Sequence, residues 1–299
     1  MLFRLPASDA VAHVQVRRVL NEMVPKLADT PAKLAEVNRQ IEDFKTRTGL
    51  DARSFTEMAL GLTYSYPAEG VTKVKTLAIA SGNFDERALS AAGAASTRDK
   101  YREQKYKSAN IYIFTLDQQV RLFGMFTVNV RELAVCPLDR NTIALGDYLS
   151  VRRAVDEIKG NAAANAELIA LANQDPNAIA GFGGNISPAL LSNLRISNEA
   201  IAKDLSAVRQ VYGSLVSNDK DLQMLVAART TNADAARSLS DTVEGLKGLG
   251  ALFVDRLPAA KGALARSALG NLKITTLGNE LQIRTAVAQA EVAPLIRGF

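Results

Sequence analysis

Leu222-Gln223-Met224-Leu225-Val226-Ala227-Ala228, followed by Thr231-Asn232 and then by Leu272-Lys273-Ile274-Thr275-Thr276 and Leu281-Gln282-Ile283-Arg284-Thr285, decides the fold class. The apolar run suits a well-buried strand. Thr231-Asn232 supplies cap-type residues for a helix whose Ala235, Leu239, Val243, Leu246 and Leu249 fall on one stripe. The two alternating segments flank Leu277-Gly278-Asn279-Glu280, and Gly-Asn predicts a two-residue hairpin because a type II′ turn needs positive φ at its first central position. A strand, a long helix and a hairpin in succession make an α+β core-building unit with no evident chemical group in it.

Upstream, the same kinds of element recur. Ala10 to Val16 reads as a strand with Ala12, Val14 and Val16 on one face and Val11, His13 and Gln15 on the other. A helix from about Arg17 to Leu27, weakened by Pro25, precedes a second helix capped by Thr30-Pro31 and ended by Gly49. Thr56 to Tyr66 and Val74 to Ser81 predict paired strands around a Pro67 to Gly70 turn, and Asp85 to Ala95 an alanine-rich helix. Tyr101 to Tyr106 and Asn110 to Leu116 read as a hairpin. Further strand is expected over Val120 to Val130 and Leu133 to Cys136, with Pro137 breaking the run, and over Thr142 to Gly146 before a helix from Tyr148 to Ile158.

Gly160 to Asn165 is small, polar and without an apolar stripe, which predicts a boundary between an N-terminal half, 1–160, and a C-terminal half, 161–299. Beyond it come a helix from Ala166 to Asn173, a glycine-rich strand from Ala178 to Ile186, short helices and a strand from Val208 to Val216. A last short helix is expected near Glu291 to Ile296. The order of elements after Asp9-Ala10-Val11-Ala12 repeats after Asn177-Ala178-Ile179-Ala180. The expectation is a divergent duplication: two similar α+β halves, each a mainly antiparallel sheet with helices packed on one face.

Bulk composition sets the outer limits. A chain of 299 residues has room for two domains of about 100 to 150 residues. With 47% apolar and 22% charged residues it has the composition of a folded globular protein rather than a disordered one. The net charge of +5 is spread along the chain, which disfavours a nucleic-acid binder. A lone Cys136 excludes an intramolecular disulfide. No apolar window approaches the roughly 18 to 20 residues of a spanning helix. Met1 to Pro6 has neither an apolar h-region nor a cleavage site, which taken literally points to the cytoplasm, although a chain with its export signal removed would read the same way.

Several segments resemble a family of uncharacterised exported proteins, found largely in acidobacteria-type bacteria and related to domains of unknown function with two α+β halves. The resemblance is carried by Leu5-Pro6 with Asp9 to Ala12, by Ala78 to Asp85, and by Ala144-Leu145-Gly146-Asp147 with Val151 and Ala154-Val155. It continues in the Asn232 to Leu249 helix and in Leu272-Lys273-Ile274 with Gly278 to Leu281. It implies export to the periplasm or the cell exterior, and no activity or functional residue.

Chemistry is scarce. His13, the only histidine, would have to serve any triad or metal site alone, and it reads more simply as a solvent-facing residue on a strand. Cys136 reads as a buried inert thiol. Gly181-Phe182-Gly183-Gly184 superficially suggests an anion cradle; without a Gly-Lys-Ser/Thr or a full GxGxxG, a bulged or bent strand, or close backbone approach, is the simpler reading. No catalytic, cofactor-binding or metal-ligating residue is assigned, and no cofactor is implied.

Two surfaces stand as candidate interaction sites. Lys100, Tyr101, Arg102, Lys105, Tyr106 and Lys107 interleave aromatic and basic side chains, as polyanion binders do, but also as an exposed hairpin with a lysine-guarded edge does. Gly245 to Leu257, with Leu252 and Phe253 at its centre and Lys247 and Arg256 flanking, could pack over its own sheet or touch a membrane surface or another subunit. The favoured reading is a non-enzymatic exported protein with a structural, binding or assembly role, working through a protein partner or self-association, with peripheral membrane contact as a further possibility. The alternatives are a carrier of an apolar or anionic small molecule in a groove between the halves, and an enzyme relying on Asp, Glu, Lys or Tyr.

Overall fold

The computed structural model describes residues 1–28, 30–95, 101–122, 126–157, 164–193, 196–257 and 259–292, with backbone alone at 117–122, 126–131, 255, 259 and 260. In chain order the elements begin with β1 (Ala10–Val14), α1 (Val16–Arg18), a π turn (Val19–Met23), α2 (Val24–Leu27) and α3 (Pro31–Thr48). They continue with β2 (Phe55–Ala68), β3 (Val71–Gly82), α4 (Glu86–Ala95), β4 (Tyr101–Tyr106), β5 (Ala109–Leu122), β6 (Phe126–Asp139), β7 (Thr142–Gly146) and α5 (Tyr148–Glu157). The second half comprises α6 (Ala166–Ala172), β8 (Ala180–Asn185), α7 (Pro188–Asn193), α8 (Glu199–Ser206), β9 (Val208–Ser217) and β10 (Asp221–Thr230). It closes with α9 (Ala233–Phe253), α10 (Ala259–Gly270), β11 (Lys273–Leu277), β12 (Glu280–Ala288) and α11 (Gln289–Val292).

Among the described residues the strands all join one antiparallel sheet of 12 strands in the order β11-β12-β10-β9-β8-β1-β2-β3-β7-β6-β5-β4. The α+β class is as the alternating segments predict; the two separate sheets are not. β1 and β8 pair with each other over Ala10↔Gly184 to Val14↔Ala180, so the halves are fused by backbone hydrogen bonds. Outward from that seam the strands run β1-β2-β3-β7-β6 on one side and β8-β9-β10-β12-β11 on the other, with the β4–β5 hairpin added beyond β6. The expected boundary itself falls largely on 158–163, outside the described residues.

Helices cover both faces of the sheet, not one. In antiparallel pairs, directly opposed residues share a face, and the registers sort the core accordingly. The front face carries Tyr112, Phe114, Val135, Ile143 and Leu145 beneath α3 and α4, and Leu281 and Ile283 beneath α9. The rear face carries Val11, Ala59, Leu77, Ile79, Ile111, Ile113 and Tyr212 beneath α5 and α6. Apolar residues on both faces of a strand blur its alternation, which is why Leu222 to Ala228 reads as a near-continuous apolar run, although Gln223 and Met224 within it are exposed.

Local details follow from residue chemistry. Thr30 Oγ1 accepts from Lys33 N at the start of α3, and Gly49 ends it at φ 72°. Asn232 Oδ1 accepts from Ala235 N at the start of α9. Gly278 has φ 59° and Asn279 has negative φ, the pattern of the expected type II′ hairpin. Pro137, expected to break a strand, lies within β6 next to a register shift before Asp139. Pro67 likewise lies within β2, in the span between Ser65 and Ala68 where the register shifts. At such irregularities a missing N–H costs no ladder bond.

Candidate functional site

The seam of the sheet is a packing site. α6 lies so close on β8 that a Cβ on Gly181 would come within 2.1 Å of the Ala172 carbonyl oxygen, and one on Gly183 within 2.7 Å of that of Leu168. The glycines therefore admit a helix backbone. The strand is not bulged: its register to β1 and to β9 is unbroken. His13 lies under the same helix, its Nε2 3.0 Å from the Ala172 carbonyl oxygen, and is half-buried rather than solvent-facing. Burial holds its imidazole below the usual histidine range, against the opposing pull of the Ala172 bond. Cys136 is fully buried, and burial pushes its thiol up to about 11, which leaves no thiolate at neutral pH.

The aromatic and basic hairpin does not form one surface. Alternation puts Tyr101, Glu103 and Lys105 on the front and Arg102, Gln104 and Tyr106 on the rear. The Tyr101 ring packs 5.4 Å from Phe114 and fills the space over Gly93 of α4, where a Cβ would sit 2.1 Å from the ring. Arg102 pairs with Glu132 at 3.0 Å. Tyr106 donates to Asp156 of α5 and lies beneath the Arg152 guanidinium, 4.1 Å from the ring centre. Lys107, at φ 53°, pairs with Asp156 as well. Tyr101, Arg102, Tyr106 and Lys107 are thus engaged within the fold; Lys105 is exposed, and Lys100 lies outside the described residues.

The second candidate opens outward. α9 packs on the sheet through Ala236, Leu239 and Val243, but Leu246 and Leu249, expected on the same buried stripe, are 46% and 55% exposed. Leu252, Phe253 and Leu257 continue the ridge at 71%, 53% and 43%. Beside it, α10 leaves a cleft of ≈ 410 Å³ lined by Gly248, Ala251, Val254 and Leu269. Arg256 lies over the Phe253 ring at 5.1 Å, and Lys247 is tied to the Leu272 carbonyl at 3.0 Å. The sequence from Gly245 to Arg266 holds four basic residues, Lys247, Arg256, Lys261 and Arg266, and one acidic, Asp255; Glu244, just before it, lines the same cleft and pairs with Lys247 at 3.7 Å.

A polar network on the rear face of β9, β10 and β12 was not singled out by the sequence. Tyr212, fully buried, donates to Glu280; Arg229 meets the same carboxylate at 3.1 Å, and Gln282 at 2.6 Å. Burial raises the Glu280 carboxyl, but these donors outweigh it and hold the group below its ordinary value. The alternation Glu280, Gln282, Arg284 was its one visible signal. Among the described residues no group of three His, Cys, Asp or Glu side chains could hold a metal ion, and no helix is long and apolar enough to cross a membrane.

Fold and surface together define an α+β protein on one extended antiparallel sheet, with an apolar helix end exposed among the described residues. Its likeness to known proteins is structural. Crystal forms III, I and IV of TP0453 match with TM-scores of 0.55, 0.51 and 0.51 at 9%, 8% and 9% identity. The matches cover 100%, 98% and 99% of this chain and 98%, 95% and 95% of theirs, so the whole architecture is shared. No protein-family model and no curated protein matches the chain.

Proposed function

We propose that this is a non-enzymatic docking protein whose working surface is the exposed end of α9 with α10, and that the surface it meets is an anionic lipid layer. The observation that carries the reading is the run of Leu246, Leu249, Leu252, Phe253 and Leu257, each more than 40% exposed on one side of the molecule. Fully burying such a side chain is worth about 1.5–3 kcal/mol, and at 43–71% exposure roughly half of that gain is still to be made. The excess of Lys and Arg over Asp between Gly245 and Arg266 complements negatively charged headgroups. Export, implied by the family resemblance, would bring the chain to such a surface, and the parallel strand order of the halves supports a divergent duplication as its origin.

Co-sedimentation with vesicles tests the reading. Wild-type protein should pellet with phosphatidylglycerol-containing vesicles and not with pure phosphatidylcholine, and the double variant Leu252→Asp, Phe253→Asp should stay in the supernatant. No pelleting at low salt, or equal pelleting of wild type and variant, would overturn it; a mass of two or more chains in solution that falls to one in the variant would replace the lipid with a second copy. A second reading, an apolar small molecule held on the front of the seam, draws on Phe182 and Met224, which are 37% and 47% exposed there. Native mass spectrometry of protein isolated from its source would show such a ligand as added mass.

A further inference from the structure

On the rear face, opposite the apolar ridge, Lys273 of β11 and Arg284 of β12 stand directly across from one another. Like charges so placed repel, and antiparallel sheets ordinarily avoid the arrangement. Among the described residues no carboxylate forms an ion pair with either, whereas Arg4, Arg53, Arg102, Arg153 and Arg229 each have one. Both cations line one cavity of ≈ 220 Å³, together with Ser214, Gln223, Asn271 and Asp175.

The guanidinium is held in place. Arg284 Nη2 donates to Gln282 Oε1 at 3.0 Å, the Gln282 amide donates to Glu280 Oε1 at 2.6 Å, and Glu280 is anchored by Arg229 and the buried Tyr212 hydroxyl. This relay uses one edge of the guanidinium and leaves its other N–H groups for a ligand. A planar fork with an ammonium opposite is the donor set that grips an oxyanion through two or more charge-assisted hydrogen bonds. The Ser214 hydroxyl and the Gln223 amide add neutral donors, while Asp175 disfavours an anion large enough to reach it.

We propose that this cavity binds a small oxyanion of the phosphate or carboxylate class between Lys273 and Arg284. The site is separate from the docking surface, since α9 and α10 pack on the front of the same strands. Failure of one leaves the other standing.

Calorimetric titration of the full chain with sodium phosphate, and separately with citrate, at ionic strength held constant with chloride, tests it. Saturable one-to-one binding is expected, weakened at least tenfold in Arg284→Gln and in Lys273→Gln and unchanged in the Leu252→Asp, Phe253→Asp variant. Both cations are exposed, so both single variants should keep the wild-type melting temperature without ligand. Absence of binding by the wild type, or equal binding by Arg284→Gln, would overturn the assignment and leave the pair as charges that guard the β11 edge. Vesicle binding by Arg284→Gln should equal that of the wild type, which would place the oxyanion in solution; its loss would overturn the assignment of a site separate from the docking surface.

Discussion

The seam under α6 and the far end of α9 use similar apolar residues to opposite ends. At the seam, Leu168 and Ala172 of α6 press on β8 so closely that only hydrogen fits at Gly181 and Gly183. At the end of α9, Leu252 and Phe253 have the right chemistry for a core, yet among the described residues they stay 71% and 53% exposed. The contrast shows that the ridge does not follow from a shortage of core. Helices pack on both faces of the 12-stranded sheet, and this helix end still stays exposed among the described residues, as apolar patches at interaction sites do.

The sharpest way to break the comparison is at its packed pole. Leu168→Ala should destabilise the protein by about 3 kcal/mol, since a fully buried leucine leaves a cavity behind. The measure is a shift of the urea midpoint at constant m-value. Gly181→Ala should cost about 2 kcal/mol, because the new methyl meets the Ala172 carbonyl, a backbone atom that cannot swing away. Wild-type stability for Gly181→Ala would show that α6 rests loosely on the strand.

His13 supplies a smaller effect at the same pole. Its folded-state pKa is lowered by burial, so below the ordinary histidine value of about 6.5 the unfolded chain binds a proton that the folded chain refuses. Stability from this residue is therefore present above that pH and lost as pH falls towards the folded value. His13→Gln should flatten the decline in urea midpoint between pH 7 and pH 5.5, and an unchanged slope would place the acid sensitivity elsewhere. At the exposed pole the effect should nearly vanish: Leu252→Ser is expected to change stability by less than about 0.5 kcal/mol. A loss comparable with that of Leu168→Ala would mean the ridge is core after all.

Much of the architecture was legible because it is local. Asn232 as a cap, Gly278-Asn279 as a hairpin and the alternation of Tyr101 to Tyr106 need only near neighbours. The fusion of the halves was not legible, because the β1–β8 pairing is made by backbone groups that every sequence carries. Nor was the cover on the second face, since Gly181 and Gly183 signal close approach without saying what approaches. α10 escaped notice because alanine-rich sequence has helix propensity without an apolar period to mark a face. The ridge of α9 reads as a core stripe because periodicity records which residues share a side, not whether anything lies against them.

The chain contains no tryptophan, so a single Leu252→Trp substitution reports on the ridge alone. Its fluorescence in solution should be that of a solvent-exposed indole, and should shift to the blue when phosphatidylglycerol-containing vesicles are added but not with phosphatidylcholine. A Leu277→Trp reporter at the distant hairpin should not move. Emission at position 252 that is already blue in solution, or that ignores anionic vesicles, would contradict the assignment of this surface.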